Sequence, residues 1–217
     1  MSGPLVVAVD GPAASGKSTL ARRLAQQFGL PFLDTGLLYR AVGRRMLDEG
    51  LAADDTEGAV AVARKLEAND VEPSRLRGEG VGQRASQVAA IPEVRAALLP
   101  FQRCFGGDEG AVLAGRDIGT VVRLDATVKL FVTATEEERA RRRHQELQHR
   151  GETPTFEAVL LELRERDRRD AERAVAPLRA AEDAWVLDTT DLDADAAFDA
   201  AKRHIEAAAG AIARDRR

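Results

Sequence analysis

Cysteine occurs once in the 217 residues, at Cys104, which excludes a disulfide framework within the chain and any cysteine-built zinc site. A small core thiol is the expected role for it. Aromatic residues make up only 4%, so the core must rest on Ala, Val, Leu and Ile. No apolar run approaches the ~20 residues that a membrane span needs. Asp10 interrupts the only apolar stretch near the N-terminus, which argues against a signal peptide and for the cytoplasm. Basic charge is not in surplus: 32 Lys and Arg face 36 Asp and Glu, for a net charge of −4, and no polybasic tail is present. A nucleic-acid partner is therefore not expected. Histidine is scarce too. His144, His149 and His204 lack the spacing of metal ligands and read as surface helix residues. Asparagine occurs once, at Asn69, followed by Asp70, so the Asn-Lys-x-Asp element with which a GTPase reads guanine is missing.

Hydrophobic residues amount to 44%, and the length suits one domain with inserts, or at most two small domains. Leu5 to Val9 is a short β-branched run ending at a glycine and reads as a buried strand. Further strands are expected at Pro31–Asp34, Ala111–Ala114, Val128–Val132 and Ala184–Leu187. Helical spacing recurs at 17–28, 37–49, 59–66, 136–148, 156–174 and 194–209, and 86–105 reads as two helical pieces broken at Pro92. Strands alternating with helices predict an α/β fold: a parallel five-stranded sheet inside a three-layer αβα sandwich.

The segment Gly11-Pro12-Ala13-Ala14-Ser15-Gly16-Lys17-Ser18 fits G-x-x-x-x-G-K-[ST]. The glycines let the backbone curl so that several N–H groups point at one anion, and the following helix adds its positive end. Lys17 supplies a mobile cation for the β- and γ-phosphates of a nucleoside triphosphate, and the Ser18 hydroxyl is a ligand for Mg²⁺. Thr19 closes the cradle. A buried strand directly before and an amphipathic helix directly after give this pattern the context of a P-loop.

A phosphate cradle does not name the acceptor. Motor and unfoldase ATPases carry an acidic pair after an apolar strand, whereas Ala111–Ala114 leads into Gly115-Arg116-Asp117. A small kinase fits better. Such an enzyme needs arginines aimed at an acceptor phosphate and a basic lid that excludes water. Arg40 and Arg116 follow strands at the sheet edge where ligands bind. The stretch Arg139–Arg150, with Arg142 and Arg143 as its catalytic candidates, supplies the lid.

Further stretches then enter: Leu33-Asp-Thr-Gly-Leu-Leu-Tyr-Arg40, Ala85-Ser-Gln-Val-Ala-Ala, Pro92-Glu-Val-Arg95, Gly115-Arg-Asp-Ile-Gly-Thr-Val-Val122, Glu165-Arg-Asp-Arg-Arg-Asp170 and Arg173-Ala-Val-Ala-Pro-Leu178. With these, in this order, the chain resembles the bacterial cytidylate kinases. The resemblance implies that ATP phosphorylates CMP or dCMP with Mg²⁺, in a single P-loop domain over 1–217 that acts as a monomer. A monophosphate-binding insert would occupy about 37–105 and a helical lid about 139–168. It implies that Ser86, Arg95 and Asp117 read the cytosine edge. Arg166, Asp170 and Arg173 would lie near the pentose and acceptor phosphate, and Thr35, Arg40 and Arg116 would contact phosphate and sugar. Asp34 would orient metal-bound waters or the acceptor. The spacing of Arg166, Asp170 and Arg173 by four and three residues puts them on one helical face without appeal to any family. Many members carry a longer, strand-rich insert before Ala-Ser-Gln; here only Asn69–Arg84 fills that place, so the insert is expected to be trimmed. UMP or shikimate as acceptor, and a non-catalytic switch that binds ATP alone, are the alternatives. The switch would have no use for a second arginine set.

Overall fold

The strand Val6–Asp10 (β1) is buried along its whole length, and so is Ala111–Gly115 (β3). Strands hidden on both faces must be apolar throughout, which Val-Val-Ala-Val and Ala-Val-Leu-Ala supply. The computed structural model describes residues 4–73, 75–76 and 80–215. Phe32–Asp34 (β2), Val128–Thr133 (β4) and Trp185–Asp188 (β5) complete a five-stranded sheet of order β2-β3-β1-β4-β5. β1 pairs in parallel with β3 and with β4, and β4 in parallel with β5. The expected strands are all present, each within a residue or so of its expected bounds.

Helices fill the connections. They run Lys17–Phe28 (α1), Thr35–Asp48 (α2), Thr56–Arg64 (α3), Val81–Val88 (α4), Pro92–Cys104 (α5), Glu136–His149 (α6), Phe156–Glu172 (α7) and Ala194–Asp215 (α8). α1 stops at Gly29 in the left-handed conformation, and α5 starts with Pro92, whose fixed φ suits a first turn. α6 opens on Thr135, whose hydroxyl accepts from the Glu138 amide, and three glutamates stand in its first turn against the positive helix end.

The chain packs as two compact units. The first comprises 1–33, 106–172 and 176–217, the second 34–105 and 173–175. In the first, the core gathers Val7, Val9, Leu24, Val112, Leu130, Val132 and Ile205 around the sheet. A smaller cluster, Ala13, Ala140, Leu147, Val159 and Leu163, joins the phosphate loop to α6 and α7. In the second, Leu38, Val42, Met46, Val62, Val88, Val94 and Leu98 form the core of an all-helical body. The stretch where a trimmed insert is expected holds a short 3₁₀ turn, Ala68–Val71, with no strand among the described residues; positions 74 and 77–79 lie outside them.

Cys104 is exposed, not a core thiol: it is the last residue of α5, where the helix runs out. Two of the histidines are more than surface residues. His204 stacks on Trp185 with ring centroids 4.5 Å apart, and His144 meets Phe156 edge-on at 6.2 Å. No helix among the described residues is long and apolar enough to cross a membrane.

Candidate functional site

The phosphate loop leaves the carboxyl end of β1, where ligands bind in open parallel sheets. Gly11 has φ +151°, and a Cβ there would lie 2.0 Å from the Val132 carbonyl oxygen, so only glycine fits. Gly16 caps α1 at φ 85°. Between them Ala14 sits at φ 57°, one of two non-glycine residues with positive φ among the described residues. The other, Ala176 at φ 53°, follows Arg173 in the Arg173–Leu178 stretch. Such conformations persist where surroundings over-determine them, and they cluster at ligand sites. The Ser15 hydroxyl oxygen is buried with no hydrogen-bond partner, a polar atom left at the cradle. Lys17 is buried, and its ammonium donates to the Pro12 carbonyl at 2.9 Å, folding the side chain back along the loop.

The loop is braced from outside. Arg139, at the start of α6, donates to the Ala134 carbonyl at 3.0 Å, to the Ala13 carbonyl at 3.2 Å and to Asp167 Oδ2 on α7 at 2.5 Å. It is 5% exposed, so this arginine is a buried brace rather than a solvated lid residue. Arg142 donates to Glu138 Oε1 at 3.0 Å and to Thr189 through its hydroxyl and carbonyl oxygens at 3.0 and 2.6 Å. The buried Thr189 hydroxyl also lies 3.4 Å from the Ser15 carbonyl. Arg143 pairs with Glu146 at 2.8 Å. Beside the loop lies a cavity of about 330 Å³, lined by Gly16, Thr19, Arg23, Arg142, Thr189 and Asp193 among others.

Asp10, the last residue of β1, carries a buried carboxylate that accepts from the amides of Ile118 and Gly119, both at 2.8 Å. Burial pushes its carboxyl up to about 6 and nearby Asp117 adds to this, while the two amides and Lys17 pull the other way. Asp117 is 5% exposed and makes no capping hydrogen bond to the turn it precedes, so its burial is not explained by capping. Arg116 pairs with Asp170 on α7 at 2.8 Å, with both side chains largely buried. The neighbours of Asp170 on that helix form an ordinary surface ladder, Arg168 with Glu172 and Arg169 with Glu165; Asp170 stands apart from it. Arg166 lies half-buried on the same helix.

The second unit holds the remaining expected residues. Asp34 caps α2, its Oδ1 accepting from the Gly36 amide at 3.0 Å, and the adjoining Thr35 is buried. Arg40 lies on α2 with its guanidinium beside Gly82 of α4. Ser86 is buried on α4. Arg95 is 7% exposed, donates to the Ala89 carbonyl at 3.3 Å and lies over the Tyr39 ring at 5.5 Å, so it is no solvated helix residue. Arg173 is also buried, but α7 ends at Glu172, so Arg173 does not share the helical face of Arg166 and Asp170 that its spacing suggested.

Three residues escaped the sequence reading as parts of a site: Asp10, Arg139 in its bracing role, and Thr189. Asp10 had a signal, a carboxylate closing an apolar strand directly before the first glycine of the cradle. Nothing in the sequence marks Thr189. Among the described residues no group of three or more His, Cys, Asp or Glu gathers to hold a metal. A hard ion at this loop would take the Ser18 hydroxyl and the oxygens of a phosphate ligand, a donor set of the kind magnesium accepts.

The cytidylate kinase family model matches residues 7–207. A cytidylate kinase of Methylocella silvestris is 57% identical over 205 residues, covering 94% of this chain and 95% of that protein. A cytidylate kinase of Granulibacter bethesdensis is 59% identical over 199 residues, covering 92% and 95%. Among solved structures, an uncharacterized protein from Eubacterium ventriosum superposes with a TM-score of 0.54 at 16% identity, over 93% of this chain and 98% of that one, which speaks for the fold alone. With a braced phosphate cradle at the sheet edge and this match along nearly its whole length, the chain belongs to the cytidylate kinase family.

Proposed function

We propose that this nucleoside-monophosphate kinase transfers the γ-phosphoryl group of ATP to CMP or dCMP, giving ADP and the diphosphate. The observation that carries the reading is the strained cradle Gly11–Thr19 in a chain matched by the cytidylate kinase family over residues 7–207. A phosphate oxygen of the monophosphate attacks the γ-phosphorus in line while the bond from that phosphorus to the β,γ-bridging oxygen breaks. The monophosphate is already a nucleophile, so no strong base is required. Catalysis is positioning and charge neutralisation. The loop amides hold the β-phosphate, and Lys17 leaves the Pro12 carbonyl to follow the moving phosphoryl group. Arg142 and Arg143 come to the same charge from the lid at about 139–168, and the cavity beside Thr19 and Thr189 takes the nucleoside of ATP. Ser18 would hold Mg²⁺, which when bound neutralises charge on the β- and γ-phosphates.

For the acceptor, the roles follow the family. Asp117 accepts from the exocyclic amine of cytosine, and Arg95 and Ser86 donate to its ring acceptors. Thr35, Arg40, Arg116, Arg166, Asp170 and Arg173 hold sugar and phosphate. Asp34 contributes by fixing the start of α2. The segment at about 37–105 acts as the monophosphate-binding insert of one kinase domain. The net charge of −4 speaks against a nucleic-acid partner, and the reading is completed by a monomer that works in the cytoplasm on small molecules.

An acceptor panel tests the reading. With ATP and Mg²⁺, CMP and dCMP are expected to outpace UMP, AMP and shikimate by at least about tenfold in kcat/KM, the discrimination that one lost base hydrogen bond provides. Equal rates for all monophosphates would remove the base-reading assignment, and no transfer to any acceptor would leave only an ATP-binding switch.

A further inference from the structure

We propose that Asp10 is a positioning residue for the acceptor: its carboxylate fixes the place of Asp117 by gripping the two backbone amides that follow it. The inference rests on the reading of Asp117 as the residue that meets the cytosine amine. Oδ1 of Asp10 accepts from the Ile118 amide and Oδ2 from the Gly119 amide, both at 2.8 Å, so both oxygens serve one short segment 108 and 109 residues away. That segment opens a wide π turn, Ile118–Val122, in which the amides of Val121 and Val122 both donate to the Asp117 carbonyl at 2.9 and 3.1 Å. Asp117 is thus the hinge residue of the turn, with its carbonyl turned inward and the next two amides tied to β1.

The opposite side of the segment is closed as well. A Cβ on Gly119 would lie 3.0 Å from Cδ and 3.2 Å from Cγ of Lys129, and 3.5 Å from Asp10 Oδ2. The lysine stem on β4 and the carboxylate on β1 therefore clamp Gly119 between them, while the Lys129 ammonium reaches Asp183 at 2.9 Å. Core packing alone does not call for a carboxylate here. A buried acid is costly to ionise, and an apolar residue would complete β1 as well as its four predecessors do. The charged groups facing Asp10 are Lys17 from α1, Asp117 from the turn and Lys129 from β4. Lys17 attracts it across the first residues of the phosphate loop, but the Lys17 ammonium is bonded to the Pro12 carbonyl. Each oxygen of Asp10 accepts one backbone amide of the turn that Asp117 opens.

An amide in its place presents one acceptor and one donor, so Asp10→Asn leaves one of the two backbone amides facing an N–H group. Kinetics of the full chain test this, with CMP varied at saturating ATP and ATP varied at saturating CMP, from about pH 5 to about pH 8. Wild type, Asp10→Asn, Asp10→Glu and Asp117→Ala are compared. Asp10→Asn is expected to raise the KM for CMP on the order of tenfold and to leave the KM for ATP within about twofold. The wild-type KM for CMP, divided by that of Asp10→Asn, rises as pH falls through about 6, where Asp10 takes up its proton. Titration of the acceptor phosphate is common to both proteins and cancels in that ratio. Wild-type amide NMR needs no variant: the Ile118 and Gly119 signals are expected to move with the same midpoint. Equal KM increases for both substrates, or Ile118 and Gly119 amides that ignore pH in this range, would overturn the proposal. If Asp117→Ala leaves CMP binding unchanged, the reading of Asp117 fails and the proposal falls with it. If Asp117→Ala weakens CMP but Asp10→Asn does not, only the proposal falls.

Discussion

Arg116 and Asp170 form an ion pair at 2.8 Å across 54 residues of sequence, joining the loop after β3 to the last turn of α7. The arginine side chain is 16% exposed and the aspartate 6%, so water screens the pair poorly. Removing one partner of such a pair leaves a buried charge, which costs about 3–5 kcal/mol; the partial exposure of Arg116 places this case near the lower end. Asp170→Ala is therefore expected to lower unfolding free energy by about 3 kcal/mol, measured by urea denaturation. Arg116→Ala in the same chain should return part of that loss, because it removes the stranded cation. Additive losses in the double variant would mean that the pair contributes nothing as a pair.

Lys17 tests the chemistry apart from the fold. Its ammonium donates to a loop carbonyl, that of Pro12, at 2.9 Å. Losing a group that neutralises transition-state charge costs about 10²–10³ in kcat. Lys17→Ala is expected to show at least that loss with a circular dichroism spectrum and melting temperature close to wild type. Retained turnover would sink the phosphate-loop assignment.

Asp10 makes stability depend on pH with a definite sign. Burial lifts its carboxyl from an ordinary 3.8 to about 6. The folded chain thus holds this proton more tightly than the unfolded chain does. The corresponding stabilisation is complete below about pH 3.8 and is lost as pH rises through about 6, a total of roughly 3 kcal/mol. Asp125, Asp183 and Asp188 are shifted the other way by hydrogen bonds but lie at the surface, so the isolating measurement is a difference. Unfolding free energies of wild type minus Asp10→Asn, taken at several pH values between about 4 and 7, should fall by up to about 3 kcal/mol. A flat difference would show that Asp10 is not held in that range.

The sheet was readable because its strands are short, largely apolar runs, and in β1 and β3 burial along the whole length keeps the pattern nearly free of polar residues, although β4 carries Lys129 and β5 is partly exposed. The cradle was readable because its backbone needs glycine at two fixed places. The arginines were harder. Arg139, Arg142 and Arg143 are interchangeable in a charge pattern, yet Arg139 turns inward to three acceptors while Arg143 pairs with Glu146 one turn on. Helical position alone does not reveal that difference, which depends on the Ala13 carbonyl arriving from 126 residues away. Asp170 was visible as part of a helical face, but its partner Arg116 was not, since long-range pairing leaves no local period. Cys104 was misjudged because a lone thiol is more often buried, and the end of α5 leaves it outside.

Arg139 separates bracing from catalysis in the lid. Its three acceptors are the Ala134 and Ala13 carbonyls and Asp167 Oδ2, and the residue is 5% exposed. The Ala13 carbonyl directly precedes Ala14, which sits at φ 57°, a conformation that costs on the order of 1–3 kcal/mol and needs support. Arg139→Ala strands the Asp167 charge and frees the loop to relax. It is expected to lower unfolding free energy by about 3 kcal/mol and to raise the KM for ATP more than that for CMP. Arg139→Lys keeps the charge, but one ammonium on a flexible stem cannot match a planar fork shared among three acceptors, so recovery should be partial. A stability loss with an unchanged KM for ATP would confine Arg139 to the α6–α7 core. A large fall in kcat with unchanged stability would instead place it among the groups that meet the phosphates.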